Sequence, residues 1–176
     1  MGGIVRYGSY VPYFHLHTGG DGAGKGERAV ASFDEDAVSM AVEAARDAVR
    51  GGGAVDALLF ATLSPAYAEK LDTATIQAAL DLPEAVSSVA LSGCSRMGLA
   101  ALLLGLDLAA AGKRALVCAG DLATGAPGSA RESQGGDAAI DLRVLLSNNI
   151  NKAGLDASVG NGTVQLGGFE LFVKNI

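Results

Sequence analysis

Between Val86 and Asp121 the chain reads VSSVALSGCSRMGLAALLLGLDLAAAGKRALVCAGD, and this stretch decides the fold. Val86 to Leu91 is a short, mostly apolar run, which predicts a strand. Arg96 to Ala111 has the length of a helix and almost no charge. Arg114 to Gly120, RALVCAG, predicts a second buried strand, with Asp121 opening the loop beyond it. Strands alternating with helices imply a parallel or mostly parallel α/β sheet with right-handed crossovers. A helix that is apolar on most sides is expected to be surrounded by protein.

The same alternation extends upstream. Ile4 to Val11 is β-branched and aromatic and stops at Pro12, which predicts a first strand. Thr18 to Gly26 is Gly-rich without periodicity and reads as a surface loop. Ser32 and Glu35 have the spacing of a capping box. Val38, Ala41, Ala45, Ala48 and Val49 then repeat at mostly three- and four-residue spacing, predicting a helix that ends at Gly51-Gly52-Gly53. Val55 to Thr62 predicts a buried strand. Asp72 to Leu82 predicts a short helix with Ile76, Ala79 and Leu80 inward and Pro83 beyond its end.

Downstream the rhythm changes. Gly125 to Gly136 is small and polar, and Ala138 to Leu146 predicts a further strand with no helix before it. Ser147 to Gly162 is rich in Asn and Gly, and Thr163 to Val173 predicts one or two strands broken at Gly167-Gly168. The expected organisation is one domain over residues 1–146 with an atypical tail over 147–176. That tail reads either as antiparallel strands completing the sheet or as the product of a truncated or rearranged coding sequence.

Composition narrows the function classes. Hydrophobic residues make up 49% of the 176 and charged residues 18%, which argues for a folded chain with a sizeable core. The formal net charge is -6, against the basic face that nucleic-acid binding needs. Two cysteines are too few for a disulfide scaffold and suit a reducing compartment. Leu99 to Ala111 is the most hydrophobic run, yet Asp107 interrupts it and a membrane span needs about 20 apolar residues. The first residues lack the pattern of a secretory signal. The expectation is a cytoplasmic protein with no nucleic-acid or membrane partner.

The chemistry centres on Leu91-Ser92-Gly93-Cys94-Ser95-Arg96-Met97-Gly98, between a predicted strand and the long helix. A nucleophile there meets unpaired N–H groups and the positive end of the helix dipole, which favour a thiolate and an oxyanion. Cys94 is one candidate; a buried cysteine beside a Gly-Ser cap is the plainer reading. Cys118, inside a strand, is expected in the core. His15 and His17 alternate in a polar loop with no Cys or acidic residue at ligand spacing, so they read as surface residues and no metal is expected. Asp121 follows the carboxyl end of a strand, where α/β proteins place functional groups. Gly135-Gly136-Asp137 permits a tight turn. Gly24-Lys25 lacks the spacing of a phosphate loop, and Gly93 to Gly98 lacks the dinucleotide fingerprint.

Several blocks, in order, resemble the thiolase superfamily, nearest to proteins like hydroxymethylglutaryl-CoA synthase. They are GIVRYGSYVPYF, GERAVASFDEDAVSMAVEAARDAV (Gly26 to Val49), LFATLSPAYAEKLDTATIQAALDLP (Leu59 to Pro83), VALSGCSRMGLAAL (Val89 to Leu102) and ALVCAGDLATGAPGSARESQGGDAA (Ala115 to Ala139). The resemblance covers about residues 3–146. It implies a thiolase-like half domain, with three layers around a five-stranded mixed sheet. It also implies acyl-enzyme chemistry on acyl groups carried by coenzyme A or a carrier protein, leading to carbon–carbon bond formation, with no prosthetic group.

In the family a cysteine of the first half takes the acyl group, and His with His or Asn comes from the second half. Alignment of Gly98-Leu99-Ala100-Ala101-Leu102 sets that cysteine's position at Ser95. An unshifted backbone turns Ser95 to the site and leaves Cys94 free to face the core. The synthases' catalytic Glu aligns with Leu63, and Glu69 belongs to the following block. The resemblance therefore points to Cys94 or Ser95 as acyl carrier, with the remaining groups supplied by a second copy or a complementary thiolase-like subunit.

Overall fold

The computed structural model of the chain describes residues 2–18, 26–126, 129, 135–146, 162–166 and 169–173. The elements follow as β1 (Gly2–Tyr10), β2 (Phe14–Thr18), β3 (Gly26–Val30), α1 (Ala37–Val49), β4 (Ala57–Thr62), α2 (Asp72–Ala79), β5 (Ser87–Ser92), α3 (Met97–Ala110), β6 (Ala115–Asp121), β7 (Ala138–Leu146), β8 (Gly162–Leu166) and β9 (Phe169–Val173).

Five strands form a mixed sheet in the order β1-β7-β6-β4-β5. β4 pairs parallel with both β5 and β6, whereas β7 pairs antiparallel with β6 and with β1. Strand β7 therefore runs against the other four. It follows β6 without an intervening helix, and a loop connection returns the chain antiparallel beside its predecessor. All six residues of β4 are buried, the mark of a strand covered on both faces.

Alternation along the strands divides the interior into two cores. On one face Leu58, Phe60, Leu116, Cys118 and Ala139 meet α1 and Ile76 of α2. On the other, Leu59, Ala61, Val117, Ile140 and Val144 meet Ala101, Leu102 and Ala109 of α3. The result is an α/β arrangement of three layers. Backbone approaches the sheet closely on both sides: a Cβ on Gly8 of β1 would lie 1.9 Å from the Ala44 carbonyl oxygen of α1, and one on Gly105 of α3 would lie 2.5 Å from Val117 Cγ2. At the amino ends of β4 and β6, Asp56 accepts from the Arg114 backbone N–H at 2.8 Å, from its Nε at 2.8 Å and from its terminal nitrogen at 2.7 Å. These bonds hold the Asp56 carboxyl well below the usual carboxylate range.

The structure corrects several sequence expectations. The cap of α1 is Asp36, whose carboxylate accepts from Ser39 N at 2.7 Å while Ser39 Oγ accepts from Asp36 N at 2.8 Å. Glu35 instead accepts from Ser32 N and from the Tyr10 hydroxyl, tying the pre-helix turn to β1. His15 and His17 lie on β2, which pairs with β3 as a separate antiparallel hairpin. The polar loop expected there is strand, because alternation of Phe14 and Leu16 with the histidines suits an exposed ribbon. Residues 19–25 of the expected Gly-rich loop lie outside the described residues. Ala79 is exposed, since the short helix α2 buries only Asp72, Thr73 and Ile76. Where strands completing the sheet were one reading of the tail, β8 and β9 pair with each other in their own two-stranded sheet.

Helix α3 differs most from expectation. It buries only Ala101, Leu102, Gly105 and Ala109, and leaves Leu103 53% and Leu104 37% exposed. Leu103, Leu104 and Asp107 are exposed on its outer side.

Several buried polar atoms lack a hydrogen-bond partner, and among them are both oxygens of one carboxyl group. Asp141 of β7 sits opposite Cys118 of β6 and Gly8 of β1, fully buried, and neither carboxylate oxygen has a hydrogen-bond partner. Burial pushes its pKa well above the ordinary carboxylate range, with the adjacent Cys118 thiol a smaller opposing influence. The folded chain thus keeps a proton that the unfolded chain releases above about pH 4. Stability then falls as pH rises through that point, by roughly 1.4 kcal/mol per pH unit until the folded group ionises. Asp141→Asn is expected to raise Tm at neutral pH and to give no such gain below about pH 4; equal gains at both would refute a buried-carboxyl origin. Packing gives a second contrast in thermal melts. Gly8→Ala is expected to destabilise by about 1–3 kcal/mol or more, because backbone opposes the new methyl. Gly98→Ala in α3, where nothing lies within 4 Å, is expected to stabilise by about 0.5–1 kcal/mol.

Candidate functional site

The turn from β5 into α3 is built on Gly93, whose φ of 108° suits glycine and few other residues. It reverses the chain so that Cys94, Ser95 and Arg96 are all exposed beyond the carboxyl end of the sheet. The Cys94 carbonyl accepts from Met97 N at 3.0 Å, which closes the first turn. Arg96 is the N-cap residue of α3, and no side chain caps the helix. With the Met97 N–H already bonded, those of Gly98 and Leu99 keep donor capacity toward an anionic or carbonyl group, alongside the helix dipole.

Both sequence candidates lie on this turn. Cys94 is exposed and so does not face the core; the turn presents it and Ser95 together. Cys118 is buried, with its thiol pKa pushed up first by burial and then by Asp141. His15 is exposed on β2, which follows β1 at the far edge of the sheet from β5. Among the described residues no group of three His, Cys, Asp or Glu side chains could hold a metal ion.

Beside the turn, register pairs Thr62 with Ser92, so the loop after β4 lies next to Gly93. Leu63, at the position where the resemblance implies an acid, is 41% exposed, and its N–H donates to Asp121 at 2.5 Å. Asp121 Oδ1 also accepts from Thr62 Oγ1 at 3.1 Å and Ser64 Oγ at 3.3 Å, while Ser64 Oγ accepts from Leu122 N at 2.8 Å. The connections leaving β4 and β6 diverge at this crevice, where open α/β sheets place ligands. Here the carboxylate fastens the two loops to each other.

Asp137 does the same at the next crossing, a role its Gly-Gly-Asp context did not disclose. It is 4% exposed and accepts from Ala31 N at 2.7 Å and Ala123 N at 2.6 Å. A lone Asp after two glycines looks like a turn residue, and only the fold brings residues 31 and 123 to it. On the far side of the loop after β4, Asp72 opens α2 in a buried position. Burial raises its pKa, against the lowering effect of the Ala66 and Tyr67 backbone donors.

No protein-family model matches the chain. It is 32% identical over 151 residues to a hydroxymethylglutaryl-CoA synthase of Archaeoglobus fulgidus, covering 75% of this chain and 44% of that protein. It is 33% identical over 165 residues to the hydroxymethylglutaryl-CoA synthase of Caldivirga maquilingensis, covering 83% of this chain and 47% of that protein. The chain thus spans somewhat under half the length of these curated relatives. Among solved structures, a hydroxymethylglutaryl-CoA synthase complexed with CoA superposes with a TM-score of 0.75 at 20% identity, over 83% of this chain and 42% of that one. A 3-oxoacyl-(acyl carrier protein) synthase III from Pseudomonas aeruginosa gives 0.72 at 22% identity, over 84% and 51%. At these identities the structural likenesses speak for the fold alone. No helix among the described residues is long and apolar enough to cross a membrane.

Thiol accessibility separates the two cysteines. Iodoacetamide applied to the folded chain is expected to modify Cys94 within minutes and to spare Cys118 until denaturant is added, as read by peptide mass mapping. Labelling of both at equal rates would contradict the burial of Cys118.

Proposed function

Since the chain belongs to the thiolase superfamily, as a relative of the hydroxymethylglutaryl-CoA synthases over somewhat under half their length, we propose that it is the acyl-accepting half of an acyl-CoA condensing enzyme. The observation that carries this reading is the exposure of Cys94 and Ser95 on a turn leading into a helix start that no side chain caps. In the proposed step the Cys94 sulfur bonds to the carbonyl carbon of a coenzyme A thioester. The bond from that carbon to the coenzyme A sulfur breaks, and coenzyme A departs as the thiol with the proton that Cys94 gives up. The free N–H groups of α3 stabilise the oxyanion between these events. Ser95 is the alternative acceptor, an alkoxide donor that needs a stronger base.

The chain's histidines are both on β2, so the base is proposed to come from a second copy or a complementary thiolase-like subunit. Carbon–carbon bond formation is proposed for that assembly, in the cytoplasm, with an acyl-CoA or acyl-carrier substrate and no prosthetic group. Leu63 favours a second reading. A side chain that transfers no proton at the acid position suits a non-catalytic half that works as a homodimer or a partner subunit.

Intact-mass measurement after incubation with acetyl-CoA, alone and with a complementary thiolase-like subunit, tests the first reading. One acetyl adduct is expected, abolished by Cys94→Ala or by Ser95→Ala according to which residue accepts it. Absence of any adduct in both incubations would overturn acyl transfer and leave the non-catalytic reading.

A further inference from the structure

We propose that Arg6 and Arg143, gathered on the glycine loop Gly51-Gly52-Gly53 that follows α1, form a binding site for a phosphate group, free or carried as a monoester. The two residues are direct neighbours, Arg6 of β1 registering with Arg143 of β7. Both side chains end on the loop. Arg6 Nη1 donates to the Arg50 carbonyl, and Arg143 Nη1 donates to the Gly52 carbonyl at 2.7 Å. The glycines make room for them: a Cβ on Gly51 would lie 2.9 Å from Arg6 Nη1, and one on Gly53 would run into Arg143 Nη2. A Cβ on Gly52, between the two, meets nothing within 4 Å, and all three glycines are exposed. Carbonyls thus fix two guanidiniums beside a loop that is open to solvent.

Charge selects the ligand. Like charges directly opposite each other in a sheet repel, and Arg143 is only 7% exposed. Its pKa is lowered by burial first, then by Arg6 and Arg114. Among the described residues no carboxylate pairs with either Arg6 or Arg143. Asp47 is held by Arg50 at 2.6 Å and Asp56 by Arg114 at 2.7 Å. Asp141, two residues before Arg143 on the same strand, keeps its proton. A guanidinium carries five donors, and the buried Nε of Arg143 has no hydrogen-bond partner. Two uncompensated cations stand out in a chain of net charge -6. They match a dianion with several acceptor oxygens, which a phosphate group supplies and a single carboxylate does not. Arg143 registers with Leu116 at the start of β6, so the site lies at the end of the sheet opposite Cys94. The inference holds whether or not Cys94 takes an acyl group.

Equilibrium dialysis of the full chain against radiolabelled inorganic phosphate at fixed ionic strength, with circular dichroism to establish folding, provides the test. One saturable site per chain is expected. Arg6→Gln and Arg143→Lys are each expected to weaken it by about tenfold or more, the second because an ammonium keeps the charge and loses the fork. Arg6 is half-buried on an edge strand, so its variant carries the test alone if Arg143→Lys melts the sheet. Lys70→Gln removes a charge from the loop after β4 and is expected to leave the affinity unchanged. Competition by methyl phosphate as effective as that by unlabelled phosphate assigns the site to the phosphoryl group of an ester, and weaker competition assigns it to the free ion. No saturable binding, or an affinity that Arg6→Gln and Lys70→Gln lower equally, would overturn the proposal.

Discussion

Strand β4 cannot be satisfied by one layer. Its six residues, ALLFAT, are buried without alternation, so apolar side chains leave both faces of the sheet and each face needs a helix. Leu58 and Phe60 call for α1 and α2 on one side, and Leu59 and Ala61 call for α3 on the other. The crossover from β4 through α2 to β5 and the return through α3 to β6 deliver those helices to opposite faces. The strand-to-helix turn at Gly93 is placed by this return, beyond the carboxyl end of the sheet and next to the loop after β4.

A chain with few charges uses several of them inside the fold. Asp56 clamps Arg114 where β4 and β6 begin, Asp121 joins the loops where they end, and Asp137 joins segments that follow β3 and β6. Each carboxylate accepts two or more donors, which offsets the cost of taking it out of water. Asp141 has no such compensation and keeps its proton instead. The difference lies in the neighbours: loop backbone offers N–H donors at strand ends, whereas in mid-sheet the ladder has already used them and the strand residues opposite Asp141 are a cysteine and a glycine.

The two sides of α3 show how a fold can be complete in topology and incomplete in burial. Every strand of the five-stranded sheet is paired with its neighbours, yet Leu103 and Leu104 of α3 and an adjoining groove stand open. The curated relatives are more than twice as long as the aligned region. Burial thus leaves two parts of this segment open to solvent, the turn at Cys94 and Ser95 and the side of α3 that carries Leu103 and Leu104.

From the residues alone, the alternation of short apolar runs with helical stripes determined the α/β class, the strands now called β1 and β4 to β7, and the three helices. Local periodicity suffices for that, because each element's own side chains declare which faces must leave water. The turn at Cys94 and Ser95 was legible for the same reason: strand, glycine and apolar helix are adjacent in sequence. Tertiary structure alone decided that both side chains are exposed, that His15 sits on a hairpin separate from the five-stranded sheet, and that Asp36 caps α1 in place of the Ser32 and Glu35 pattern. It also decided that one side of α3 lies uncovered, since no helix's sequence states how many neighbours the rest of the chain can bring to it. Contacts such as Asp137 with Ala31 and Ala123 join residues far apart along the chain, and no local pattern records them.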